Sequence, residues 1–337
     1  MKKLLKLDSN LKYSSGSNNV AITGICDLKN VSNSKIIFVK NKKFLISLIE
    51  LKERYMESVV ILSEKLISDN ELIEKLEKKF PNIYSSLNLE DSICIISKHF
   101  YDDFYQDMNL YIDGRQMRSV DIDPTSLISQ HVFIGENVKI GKDVKIHSGV
   151  RIYPNVEISD NCEIFSNVII YPKTVIKNKV RIHAGTTIGS DGFGYNFIEG
   201  EHKKIWHLGG VIISADVEVG SNTTIDSGTF SPTFIDVGAR IDNLVQIAHN
   251  CYIGKHAVIC GQVGISGSCN IGDYTVLAGK VGLSHGVTLG NQCVVAAAAV
   301  VAGNWPDNTK LGGNPARPFS EWLRSKAYLK KLINKKV

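Results

Sequence analysis

The chain has 337 residues, 43% of them hydrophobic and 22% charged, with a formal net charge of +5. That leaves room for more than one soluble globular domain, excludes a membrane-spanning protein and gives little electrostatic reason for a nucleic-acid partner. Seven scattered cysteines without a Cys-x-x-Cys pair exclude a disulfide framework and a thiolate metal site.

The start, Met1-Lys-Lys-Leu-Leu-Lys-Leu-Asp8, has the charges of a signal peptide but not the apolar run that must follow, so a cytoplasmic protein is expected. Residues 1–118 read as a small α/β domain, with strand-like runs at Ile36–Val39, Val59–Leu62 and Ser92–Ser97. Between two of them Ser68 and Glu71 form a capping box. It opens a helix whose Leu72, Leu76 and Phe80 share one face before Pro81 stops it.

From Ile122 to Ile188 every sixth residue is isoleucine. A helix repeats its buried face every three or four residues and a two-sided strand every two, so a period of six requires a corner after each short strand. Three hexads make one triangular turn of eighteen residues, and aliphatic side chains stack turn on turn as the core. Glycines such as Gly135, Gly141, Gly220, Gly254 and Gly272 follow many of these positions, where the backbone must bend. The rhythm resumes at Ile213, skips four residues after Ile225 and ends near Val301, so 119–303 is expected to be a parallel β-helix of about nine turns. The insertion at 189–210, rich in glycine and aromatics, is too long for a corner and is read as a shaped wall.

His249 falls two places after the inward Ile247, hence on a corner and pointing outward. Eighteen residues on is Gly267 and thirty-six on is His285, so the three form one file, with the histidines roughly 10 Å apart. A neutral imidazole can take a proton from an attacking group, and a glycine N–H can hold an oxyanion. A zinc shared between histidines, as in the hexapeptide-repeat carbonic anhydrases that this stacking resembles, needs a third ligand; Gly290 stands where that resemblance would place it, His256 is the other local candidate, and no metal is expected. Trp305-Pro306 and the Gly-Gly-Asn-Pro run at 312–315 break the coil. A terminal helix over Ser320–Asn334 follows, with Trp322, Leu323, Leu329 and Leu332 as its apolar positions, to cap the coil or pack on another subunit. The tail is basic: Arg317, Arg324, Lys326, Lys330, Lys331, Lys335 and Lys336 stand against Glu321 alone.

Gly189-Ser-Asp-Gly-Phe-Gly-Tyr195, Thr223-Thr-Ile-Asp-Ser-Gly228, Ile241-Asp-Asn-Leu-Val-Gln-Ile-Ala-His-Asn250, Gly261-Gln-Val-Gly-Ile-Ser-Gly-Ser268 and Gly313-Asn-Pro-Ala-Arg-Pro-Phe-Ser-Glu-Trp-Leu-Arg324 closely resemble UDP-3-O-(3-hydroxyacyl)glucosamine N-acyltransferases of lipid A biosynthesis. The resemblance spans nearly the whole chain. It implies a mainly β, left-handed parallel β-helix (119–303) with a small N-terminal α/β uridine-binding domain (1–118) and a C-terminal helical extension (304–337). It further implies a homotrimer with active sites between subunits, acting on a UDP-amino-sugar, with acyl carrier protein as the acyl donor. No cofactor is implied beyond the 4'-phosphopantetheine carried by that donor, and no stable membrane insertion.

Carried over by position, the resemblance makes His249 the general base and the Gly267 N–H the oxyanion donor, while Asp242 orients the imidazole or the sugar. Phe38, Asn41 and Phe44 have the spacing of the uracil grip, and Asp191, Phe193 and Asn243 lie in the matching substrate-binding segments. One departure stands out: Ser284-His285-Gly286 reverses the family's Gly-His, placing His285 one residue early. A paralogue acting on another nucleotide-linked amino sugar, or a non-catalytic β-helix binding protein, are the alternatives.

Overall fold

The computed structural model describes residues 2–16, 20–28, 30–106, 108–313 and 318–334; Arg317, Lys335 and Lys336 of the basic tail and the Asn-Pro half of the run at 312–315 lie outside them. Five strands, β1 (Leu11–Ser15), β2 (Gly24–Ile25), β3 (Lys35–Val39), β4 (Val59–Ser63) and β5 (Asn82–Ser86), form one N-terminal sheet in the order β1-β5-β4-β3-β2. Only β1 runs antiparallel to its neighbour. Side chains alternate across a strand, so β3 divides its residues between two layers. Ile37 and Val39 meet Leu45 and Leu48 of helix α2 (Lys42–Ile49) and Leu76 of α3 (Asn70–Glu77); Ile36 and Phe38 meet the layer of Ile93 and Ile96 from a long helix, α4 (Leu89–Gln106).

Two sequence expectations fail here. Ser92–Ser97 is not a strand but the buried side of α4, and the strand is Asn82–Ser86. A short apolar run satisfies either period, and the length of the element, hidden in the sequence by polar residues beyond Ser97, decides it. The capping box at Ser68 is not formed either. Asp69 is the N-cap, accepting from the Leu72 N–H at 3.4 Å, while the Ser68 hydroxyl donates back to the Lys65 carbonyl.

Beyond Asp121 the chain winds into three parallel sheets of ten, nine and nine two- to four-residue strands. Most strands pair with the one eighteen residues on, as Ile146 with Ile164 and Ile247 with Ile265, the interval changing only where insertions and the last corner lengthen or shorten the turn. The stacked Ile, Val and Leu side chains are almost wholly buried in one continuous column, and each contributes about 1.5–3 kcal/mol through its removal from water. The corners separate two needs that the sequence reading merged. Gly220 and Gly254 are required by close approach, since a Cβ would lie 2.5 Å and 2.6 Å from the backbone of the next turn. The left-handed backbone occurs two residues later, at Asn222 and His256 and at Asn137, Asn155, Asn161 and Asn167, where a short polar side chain often tolerates it.

The 189–210 insertion interrupts the stack without breaking it: Arg181 pairs with Glu218 and Thr187 with Thr224 across it. Within it Tyr195–Ile198 and Glu201–Lys204 form an antiparallel hairpin. That hairpin docks on α4. Asn196 donates to the Glu90 carbonyl, Lys203 pairs with Asp91 at 3.0 Å, and the Trp206 ring lies 4.5 Å from that of Tyr101.

The coil also outlasts its expected end at 303. Trp305 bridges to Leu289, and Lys310–Leu311 pairs with Val294–Val295, because the Trp-Pro corner makes one more turn rather than stopping the column. A C-terminal helix, Phe319–Asn334, follows; Trp322, Leu323, Leu329 and Leu332 on it are exposed, so it does not cap the coil. Among the described residues no helix is long and apolar enough to cross a membrane.

Candidate active site

His249 sits on the corner after the strand Gln246–Ile247, half-buried and directed outward. The next residue fixes its chemistry. Asn250 adopts the left-handed conformation, and its side chain turns back into the corner. Its Nδ2 donates to the Ser231 carbonyl at 3.2 Å, while its Oδ1 accepts from the Thr229 N–H at 3.0 Å and the Thr229 hydroxyl at 2.7 Å. The Ser231 carbonyl can only accept and the Thr229 N–H can only donate, so the amide cannot be flipped. Its Oδ1 also lies 2.9 Å from His249 Nδ1, which must therefore carry the proton. The lone pair is left on Nε2.

That nitrogen hangs over Gly267, where a Cβ would come within 2.6 Å of it. The Gly267 N–H enters no backbone hydrogen bond among the described residues. His249, Gly267 and His285 line one cleft of about 650 Å³ together with Phe193, Asp226, Gln246, Leu283 and Val300. The file expected from the eighteen-residue register is thus present, and exposed His285 stands on the same cleft despite its shifted position. Phe193, 86% exposed, and Val300, 82% exposed, give the cleft apolar rims. Base, open amide and apolar surface together suit acyl transfer.

Three further residues complete the surroundings of His249, and sequence reasoning assigned none of them. Asn250 takes the orienting role considered for Asp242; its only signal was its place beside the histidine. Asp226, 8% exposed, accepts from Gln246 at 3.0 Å and Ser190 at 3.3 Å, and burial pushes its carboxyl up. His207, delivered by the hairpin's return strand, is 4% exposed and places its ring 5.1 Å from that of His249, edge to face. Neither of its nitrogens bonds to a side chain among the described residues, and its polar neighbour is the backbone of Ile205. Among the described residues no three His, Cys, Asp or Glu side chains gather to hold a metal ion.

Burial first, then the charges of His249 and Lys204, push the His207 pKa down to about 3. Its folded value lies below the unfolded one, so from about pH 6.5 down to about 3 only the unfolded chain binds this proton. Stability is complete above that window and falls through it by up to about 1.4 kcal/mol per pH unit. Urea unfolding at pH 6.5 and 4.5 checks this. The wild-type chain is expected to lose more stability than His207→Leu, and equal losses would contradict a neutral buried imidazole.

The other expected site residues lie elsewhere in the subunit. Asp242 and Asn243 belong to the previous corner, on a separate groove with His183, Glu218 and Arg240. Asp242 accepts from the Asn243 N–H at 2.7 Å and so does not orient His249 of its own chain. The reason is geometric: seven residues span one prism face and put the two on different edges. Asp191 pairs with Lys204 at 2.5 Å. Phe38 packs against Phe230 at 6.1 Å on the coil-facing layer, Asn41 caps α2 by accepting from the Phe44 N–H, and Phe44 is exposed at the start of α2. No ring contact joins Phe38 to Phe44 among the described residues.

Residues 125–160 match the family model described as bacterial transferase hexapeptide, six repeats. A UDP-3-O-acylglucosamine N-acyltransferase of Azorhizobium caulinodans is 56% identical over 162 residues, 48% of this chain and 45% of that protein. One of Helicobacter hepaticus is 44% identical over 154 residues, 45% of this chain and 47% of that protein. The chain thus spans about half the length of the curated relatives it matches. Among solved structures, LpxA from Acinetobacter baumannii is 21% identical with a TM-score of 0.46, covering 62% of this chain and 76% of that one. The chain therefore carries bacterial transferase hexapeptide repeats wound into a parallel β-helix and, over about half its length, is similar to the UDP-3-O-acylglucosamine N-acyltransferases.

Proposed function

We propose that the protein is an N-acyltransferase that moves a 3-hydroxyacyl chain from acyl carrier protein to the 2-amino group of UDP-3-O-(3-hydroxyacyl)glucosamine. The observation that carries this reading is His249, with Nδ1 tied to Asn250 and Nε2 free above the Gly267 amide. The amine attacks the thioester carbonyl as Nε2 takes its proton, and the Gly267 N–H holds the oxyanion that forms. When the C–S bond breaks, the protonated imidazole returns that proton to the departing thiolate, leaving an amide and free carrier thiol. Phe193 and Val300 offer apolar surface to the acyl chain. Asp226 offers a carboxylate toward the attacking amine.

A homotrimer suits the placement of Asp242 and Asn243 on an edge away from their own His249, since a neighbouring copy would bring its edge to the cleft. The exposed apolar residues of the C-terminal helix await such a partner, and its Lys330 and Lys331 suit an acidic carrier. Phe38, Asn41 and Phe44 are proposed as the uracil grip, with Asp191 and Phe193 near the sugar. Mass spectrometry of products tests the reading. A mixture of 3-hydroxyacyl carrier proteins and the acylated UDP-sugar should yield one added acyl group resistant to mild alkali, as an amide is. No adduct, or one formed only from a coenzyme A thioester, would sink it.

A further inference from the structure

An imidazole with 96% of its surface covered and no side-chain hydrogen bond to either nitrogen is costly to keep, because its bonds to water are not fully replaced. Ordinary core filling does not call for it; a leucine of similar size would fill the space without that cost. His207 is also held deliberately close. Gly192 has its α-carbon against both rings, so that a Cβ there would lie 2.7 Å from His249 Cβ and 2.8 Å from His207 Nε2, and one at Gly194 would lie 3.0 Å from His207 Cε1. Two glycines of the insertion therefore let the hairpin bring the His207 ring edge to face against that of His249, whose Nδ1 is tethered to Asn250.

We propose that His207 is a positioning residue for the transfer reaction: its flat neutral ring is the second wall that keeps the His249 imidazole turned with Nε2 over Gly267. Asn250 fixes one ring atom, and a single hydrogen bond leaves the ring free to rock about it. The edge-to-face contact removes that freedom. A charged neighbour would repel the imidazolium formed when the base takes its proton; an uncharged ring in edge-to-face contact does not. The hairpin that carries His207 is itself braced on α4 through Lys203 and Trp206, so the wall belongs to a rigid frame rather than to a loose loop.

This rests on the acyl-transfer reading, and the test separates the two. His207→Leu and His207→Gln would be compared with wild type in steady-state turnover of the carrier-bound donor and the acylated UDP-sugar. Side-chain order of His249 would be followed in the same ligand-free proteins by NMR of the labelled imidazole. A base that rocks by an ångström loses about 10- to 100-fold in kcat. Both variants should show that loss with KM for either substrate within about 2-fold, alongside a disordered His249 ring, and His207→Leu should fold. Unchanged kcat in both variants, a loss confined to KM, or a His249 ring as ordered as in wild type would overturn the proposal. Should wild type fail to turn over, the acyl-transfer reading falls, and the ring-order comparison still decides whether His207 positions His249.

Discussion

His249→Ala is expected to lower kcat about 10³-fold, within the range a positioned general base supplies, while KM for both substrates changes little. The side chain lies outside the column, between the inward Ile247 and the buried Cys251, so the stack of aliphatic residues is untouched and the variant should fold as the wild type does. Asn250 would keep its bonds to Thr229 and Ser231. His285→Ala should cost far less, on the order of 10-fold, because His285 borders the cleft without a partner that fixes its ring among the described residues. Steady-state kinetics of the two variants side by side measure the ranking, and equal losses would contradict it.

Gly267→Ala is the second large effect, and its cause is steric. The substitution keeps the backbone N–H, and Gly267 is not among the positions with positive φ, so the corner can accept alanine without strain. The added methyl, however, would stand 2.6 Å from His249 Nε2 and 2.7 Å from Cε1. The ring must move aside, and displacement of the base by about an ångström costs about 100-fold in kcat. Thermal unfolding of the variant should stay close to wild type while turnover collapses. An active Gly267→Ala enzyme would mean that Nε2 does not work from this position.

The coil was legible because its signal is redundant: a dozen isoleucines in strict sixes admit no other folding, and the same register placed His249, Gly267 and His285 on one file. What the sequence concealed is of two kinds. Local ambiguity misled the reading at Ser92–Ser97, where a short apolar run suits helix or strand equally, and at Trp305-Pro306, where residues that usually end an element turn one more corner. Contacts made across long loops were invisible for a different reason. His207 reaches His249 only because a hairpin folds back on α4, and no periodicity encodes where such a hairpin lands. Asn250 was in plain view beside the base, yet its role depends on Thr229 and Ser231, contributed by the turn before. Asp242 shows the converse, since seven residues of separation look close in sequence and span a whole prism face.

The account stands on the tautomer of one ring. Nitrogen-15 NMR of the labelled histidines in the ligand-free protein near neutral pH, with His249 assigned by its alanine variant, reads it directly. A proton on Nδ1 and a bare Nε2 is the predicted pattern. A His249 signal with the proton on Nε2 would leave no lone pair above Gly267 and would contradict the proposed chemistry at its first step.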